Sequence, residues 1–114
     1  MSTLSKNNLA TLHCKPLATG TPPLQQEKIT SLLQQLEGWI QQDKIISKTF
    51  TFKNFHQTMS FVNAVAWVSN QEDHHPDMNV SYSNCTVQFS THSVGGLSEN
   101  DFICAARVDA LLTA

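Results

Sequence analysis

Glu72-Asp73-His74-His75-Pro76-Asp77 is the densest chemical signal in the sequence, two adjacent imidazoles among carboxylates, closed by a proline. Imidazoles titrate near neutrality and proline stiffens the loop that carries them, so the run suits proton transfer at physiological pH. The same composition also describes a solvated polar loop. A third imidazole, His92, stands at the end of a later alternating segment. In an antiparallel sheet that end can come beside the loop holding His74 and His75. Asp101 has two readings. Ser98-Glu99-Asn100-Asp101 has capping-box spacing, in which the acid returns to the cap residue; alternatively, its carboxylate orients or charges one of the imidazoles.

Other chemistries find less support. Adjacent histidines rarely turn both rings toward one ion, and the sequence has no HxxxH, HxH or CxxC, so no metal site is expected. Ser90, Thr91 and Ser93 flank His92 without a nucleophile elbow, and Cys85 and Cys104 fall at core-like positions. Gly95-Gly96 reads as a turn. Proton transfer with no covalent intermediate and no cofactor is the economical reading. A positioned acid or base gives about 10²–10⁴-fold, which suits a reaction of modest barrier rather than amide or phosphate hydrolysis.

The scaffold that must position these groups is small. A chain of 114 residues with 40% hydrophobic content suits one domain around one core. Its seven Lys and Arg are scattered and its formal net charge is −2, which argues against direct nucleic-acid binding. Cys14, Cys85 and Cys104 are odd in number and widely spaced, which argues against a disulfide framework and suits reduced thiols. Residues 1–20 contain no apolar signal core, and no apolar run approaches bilayer length, so a cytoplasmic protein without a membrane segment is expected.

Residues 1–23, rich in Ser, Thr, Asn, Gly and Pro, read as a flexible or loosely docked lead-in, and residues 24–114 as the domain. Ile29, Leu32, Leu33 and Leu36 follow helical spacing ahead of Gly38. Trp39–Gln42 and Ile45–Phe52 form a hairpin around Asp43-Lys44. Asn54 caps a second helix whose apolar face steps through Phe55, Met59, Val62 and Ala66 and which ends near Asn70. Met78–Tyr82 and Cys85–His92 form a second hairpin around Ser83-Asn84. Cys85, Val87 and Phe89 share its apolar face, and by the same parity His92 lies on the polar one. Ser98 caps a third helix with an apolar stripe through Phe102, Ala105, Ala106, Val108 and Leu112. The order α-β-β-α-β-β-α predicts an α+β fold, a four-stranded antiparallel sheet with three helices packed on one face. Open sheet edges predict a homo-oligomer.

Asp73-His74-His75-Pro76, Tyr82, Ser90-Thr91-His92 and Gly96-Leu97-Ser98-Glu99-Asn100-Asp101 together resemble the pterin-4a-carbinolamine dehydratases. Leu36-Glu37-Gly38-Trp39, Lys48-Thr49-Phe50-Thr51-Phe52-Lys53 and residues 55–66 extend the likeness upstream. The resemblance implies a dehydratase of 4a-hydroxytetrahydrobiopterin that works in tetrahydrobiopterin recycling, downstream of an aromatic amino-acid hydroxylase. It implies His74 and His92 as proton-transfer groups, His75 as the residue that holds the ring and shares protons, and Asp101 as the orienting acid. Asp73, Ser90 and Thr91 are implied as further substrate contacts, and a homodimer or homotetramer as the assembly. A second implied role is that of a dimerisation cofactor for a transcription factor. One departure stands out: the family often carries an acid four residues before the first histidine, where this chain has Asn70, with Glu72 two residues before it.

Overall fold

The computed structural model describes residues 9–112. Helix α1 (Gln26–Leu33) turns Ile29 and Leu32 into the core. It stops short of Gly38, and turns fill the interval. Gly38 itself takes φ 82°, a left-handed conformation that side chains strain to adopt, and a Cβ there would stand 3.0 Å from Lys48 Cε. The chain then enters strands β1 (Ile40–Gln42) and β2 (Ile45–Thr51), joined through Asp43 at φ 54°.

Helix α2 (Phe55–Glu72) begins as expected: the Asn54 side chain accepts from the Gln57 N–H, and the Gln57 side chain accepts from the Lys53 N–H at 3.1 Å. Its inward face differs from the expected stripe. Thr58, Phe61, Val65, Val68, Ser69 and Glu72 are the buried residues, whereas Phe55 and Ala66 are exposed and Met59 and Val62 only partly covered. Polar members can occupy the inward face because their hydroxyls find backbone acceptors there: the Thr58 hydroxyl lies 2.9 Å from both Asn54 O and Tyr82 O, and Ser69 donates to Val65 O. The helix also runs past Asn70 to Glu72.

Strands β3 (Asp77–Val80) and β4 (Asn84–Phe89) complete an antiparallel sheet of order β1-β2-β4-β3. Cys85, Val87 and Phe89 of β4 are fully buried, as alternation predicts. The alternation does not reach His92. The strand ends at Phe89, Thr91 pairs with Gly96 in an isolated bridge, and His92 opens a 3-10 turn (His92–Val94) with its side chain exposed. Helix α3 (Glu99–Ala110) buries Phe102, Ala105, Ala106 and Val108, but Leu112 lies beyond the helix end and is exposed.

Helices α1, α2 and α3 cover one face of the sheet. Phe61 and Val65 of α2, and Phe102, Ala105 and Val108 of α3, share the core with Ile46, Phe50, Val87 and Phe89. The opposite face is polar, with the Thr49 and Thr86 hydroxyls 2.8 Å apart. Within the stretch read as a lead-in, residues 9–15 pack against the domain. Leu9 joins the core, Arg107 donates to Leu12 O at 2.7 Å, and Lys15 and Asn100 bond each other in both directions. Among the described residues no helix is long and apolar enough to cross a membrane.

Phe61 is 5% exposed and sits 4.6 Å from Phe50 and 5.0 Å from Phe52, ring to ring, whereas Phe55 is 48% exposed. Urea denaturation should show a loss of about 3–5 kcal/mol for Phe61→Ala. Phe55→Ala should stay within about 1 kcal/mol of wild type.

Candidate active site

Helix α2 ends through Asp73, whose φ of 51° is left-handed and whose N–H returns to Ser69 O. That reversal carries His74 across to the start of α3. His74 Nε2 lies 2.6 Å from Asp101 Oδ1, and its ring stacks on Phe89 at 5.9 Å and 10° between planes. Helix end, strand end and helix start therefore meet at one imidazole.

Asp101 makes the capping contacts and also meets an imidazole. Its Oδ1 faces His74, while its Oδ2 accepts from the Ser98 N–H at 2.9 Å, closing the capping box, and from the Thr91 hydroxyl at 2.7 Å. Thr91 Oγ1 also lies 2.8 Å from Ser98 Oγ. Each hydroxyl has one proton, so Ser98 donates to Thr91 and Thr91 to Asp101, while Ser98 Oγ accepts from the Asn100 N–H. The carboxylate is 0% exposed and every donor around it is directed, which is what a buried acid requires. Its His74 partner keeps 12% of its side chain exposed, so one edge of the ring faces outward.

The other expected residues are placed less tightly. His75 is exposed, and its Nε2 lies 3.1 Å from Asn70 Oδ1, so Asn70 holds the second imidazole. Asp73 is exposed at the cap, Ser90 is half-buried, and His92 follows directly on the buried Thr91. Ser90, Thr91 and His92 line a cavity of about 300 Å³ together with Lys44, Ile45, Gly95 and Gly96. A larger hollow of about 730 Å³, lined by Lys48, Phe50 and Asp109 among others, lies away from these residues. Among the described residues no group of three His, Cys, Asp or Glu side chains is arranged to hold a metal ion.

Sequence reasoning missed three supporting residues. Ser98 was legible as a cap but not as the first donor of a hydroxyl chain. Asn70 read only as a departure. Phe89 read as core, and nothing local indicated that its ring would meet His74.

The sequence profile of the family described as Pterin 4 alpha carbinolamine dehydratase matches residues 22–111. A Nitrosomonas eutropha protein provisionally named pterin-4-alpha-carbinolamine dehydratase is 63% identical over 106 residues, covering 92% of this chain and 94% of its own length. A Nitrosospira multiformis protein with the same provisional name is 59% identical over 105 residues, covering 92% and 93%. Among solved structures, a transcriptional coactivator/pterin dehydratase from Brucella melitensis superposes with TM-score 0.75 at 28% identity, over 80% of this chain and 99% of that one. A pterin dehydratase-like protein described as a RuBisCO assembly factor in the alpha-carboxysome gives TM-score 0.55 at 27% identity, over 67% and 88%.

Glu72, at the end of α2, faces away from the imidazoles toward residues 13–14. Its Oε1 accepts from the Cys14 N–H at 2.7 Å, its Oε2 lies 2.9 Å from His13 Nδ1, and Arg107 Nε stands 3.6 Å away. Burial alone would raise its carboxyl, but the Cys14 N–H, His13 and Arg107 outweigh it and hold the group below its ordinary 4.5. A lowered folded value means that the contribution to stability is complete above the ordinary value and fades as pH falls through the lowered one. Urea midpoints measured between about pH 6 and pH 3 should therefore fall less steeply in Glu72→Gln than in wild type; equal slopes would remove this account of the group.

Proposed function

We infer the activity from one premise: the chain belongs to the pterin 4 alpha carbinolamine dehydratase family. The reaction we propose is loss of water from a 4a-hydroxytetrahydropterin, such as 4a-hydroxytetrahydrobiopterin, to give a quinonoid dihydropterin. The C4a–O bond breaks as the nitrogen at position 5 loses its proton and forms the C4a=N5 double bond. One protein group takes that proton and another gives one to the departing hydroxyl, so the enzyme's proton count is unchanged and no cofactor is needed.

The observation that carries this reading is the His74–Asp101 contact, a partly open imidazole backed by a buried carboxylate at 2.6 Å. With Nε2 turned to the acid, Nδ1 is the ring nitrogen left for substrate. His74 and His92 are the two proton-transfer groups, one acting as base toward N5 and the other as acid toward the hydroxyl. His75, held through Asn70, braces the pterin ring, and Asp73, Ser90 and the Thr91 segment supply further contacts. Asp101 is a positioning residue.

In this reading the protein works in the cytoplasm after an aromatic amino-acid hydroxylase, recycling the pterin that enzyme has oxidised. It does so as a homo-oligomer, a view supported by the edge strands β1 and β3 with exposed Ile40 and Val80. A second reading, a binding module for a transcription factor, takes its support from the Brucella melitensis protein described as a coactivator and from exposed Trp67, Phe55 and Tyr82. That role would survive loss of the histidines.

Carbinolamine generated by a pterin-dependent hydroxylase and followed by absorbance provides the test. Wild-type protein should speed its decay, and His74→Ala or His92→Ala should each lose about 10²–10⁴-fold of that acceleration. Wild-type rates in both variants would overturn the assignment.

A further inference from the structure

Two sulfurs that the dehydratase reading leaves unused touch each other. Cys14 Sγ lies 3.4 Å from Cys104 Sγ, and the three cysteines are all free. Cys14 belongs to the arm of residues 9–15 and is part-exposed, while Cys104 sits on the inward face of α3, fully buried, with its sulfur 4.0 Å from His74 O. The thiols come from positions 90 residues apart, so their meeting is produced by docking of the arm and not by local chain geometry. That docking is specific: the Cys14 N–H is held by Glu72, its Sγ lies 3.5 Å from Asn100 O, and the next residue is bonded twice to the Asn100 side chain.

We propose that Cys14 and Cys104 form a reversible oxidation site, in which a hydroperoxide converts the contacting thiols into a disulfide that staples the N-terminal arm to α3. The sulfurs need to close from 3.4 Å to the about 2.0 Å of a disulfide. Roles in the step follow from the surroundings. The hydrogen bond with Cys14, burial, and the carboxylates of Glu72 and Asp101 hold the Cys104 thiol far above its ordinary value, so Cys104 is a poor initial nucleophile. Part-exposed Cys14 is the sulfur an oxidant reaches. The Cys14 thiol gives up its proton, its sulfur attacks one peroxide oxygen to give a sulfenic acid, and the other oxygen leaves as hydroxide that takes up that proton as water. Cys104 sulfur then displaces the sulfenic hydroxyl, which leaves as a second water with the Cys104 proton. Two thiols and one hydrogen peroxide become one disulfide and two waters, so the balance closes.

Cys85 supplies an internal control. It is buried in β4, and burial pushes its thiol up, so it should be spared in the folded protein. The cross-link would tie the arm to the helix that starts with Asp101 and to the backbone of His74.

The full chain is treated with hydrogen peroxide, alkylated without reduction, digested and mapped. The expected result is one peptide joining Cys14 to Cys104, with Cys85 alkylated only after denaturation and the cross-link removed by dithiothreitol. The oxidised protein should melt at least about 5 °C above the reduced one, because the bridge closes a long loop. The same cross-link should form in Cys85→Ser and vanish in Cys14→Ser, a change at a part-exposed position that leaves the core intact. Oxidation in guanidinium chloride should scatter among all three cysteines, since the pairing depends on the folded arm. The proposal is overturned if the folded wild type gives no Cys14–Cys104 peptide, if Cys14 proceeds to sulfinic acid, or if Cys14 pairs between two chains instead.

Discussion

A carboxylate with no exposure to water has to be answered by donors, and Asp101 is answered from three separate places in the fold. His74 arrives from the end of α2, Thr91 from the segment after β4, and the Ser98 N–H from the first turn of α3 itself. Leaving a buried acid without its partners costs several kcal/mol, so these three pieces of chain cannot drift apart independently. The acid also lies in the first turn of a helix, where the partial positive charge of the N-terminus favours it. Starting α3 and orienting the imidazole are consequently one structural event, and the capping box and the candidate site share a side chain.

How the imidazole reaches that acid is a matter of two chain reversals. The left-handed Asp73 ends α2 and redirects the chain, and the Thr91–Gly96 bridge ends β4 and returns the chain to Ser98. Between them lies Phe89, the last residue of the central strand and fully buried, on whose ring His74 rests. The sheet end therefore backs the imidazole, and the candidate site sits where the strands hand over to loops.

Local signals made most of the element order readable. Asn54 with Gln57, Ser98 with Asp101 and the alternation Cys85, Val87, Phe89 are short-range patterns whose physical partners lie within a few residues, and each one formed. The inward face of α2 was not readable in this way, because Thr58 and Ser69 hide their polarity in bonds to their own helix and Glu72 hides its charge against residues that lie nearly sixty positions earlier. Counting apolar side chains selects Phe55 and Ala66, which face out. The strand bound at His92 failed for a related reason: parity holds only while a strand continues, and β4 stops three residues short of it. Asp101 resisted a single reading because a carboxylate has two oxygens, and here each reading owns one of them.

The loop that carries His74 and His75 is bracketed by two buried carboxylates that are satisfied in opposite directions. Glu72, at its start, turns toward the arm and is answered by the Cys14 N–H, His13 and Arg107; Asp101, across from its middle, turns toward the sheet end and is answered by Thr91 and Ser98. Because each charge has its own donors, neither carboxylate competes for the partner of the other. Asp101 then takes the His74 ring nitrogen while Phe89 backs the ring, and His75, exposed to solvent, is held across the helix end by Asn70. An amide at position 70 can accept from His75 without adding a fourth negative charge to a stretch that already runs Glu72, Asp73 and Asp77. An amide at position 70 therefore keeps the contact with the ring while sparing this stretch like-charge repulsion, which in this chain would fall within two residues of a buried glutamate.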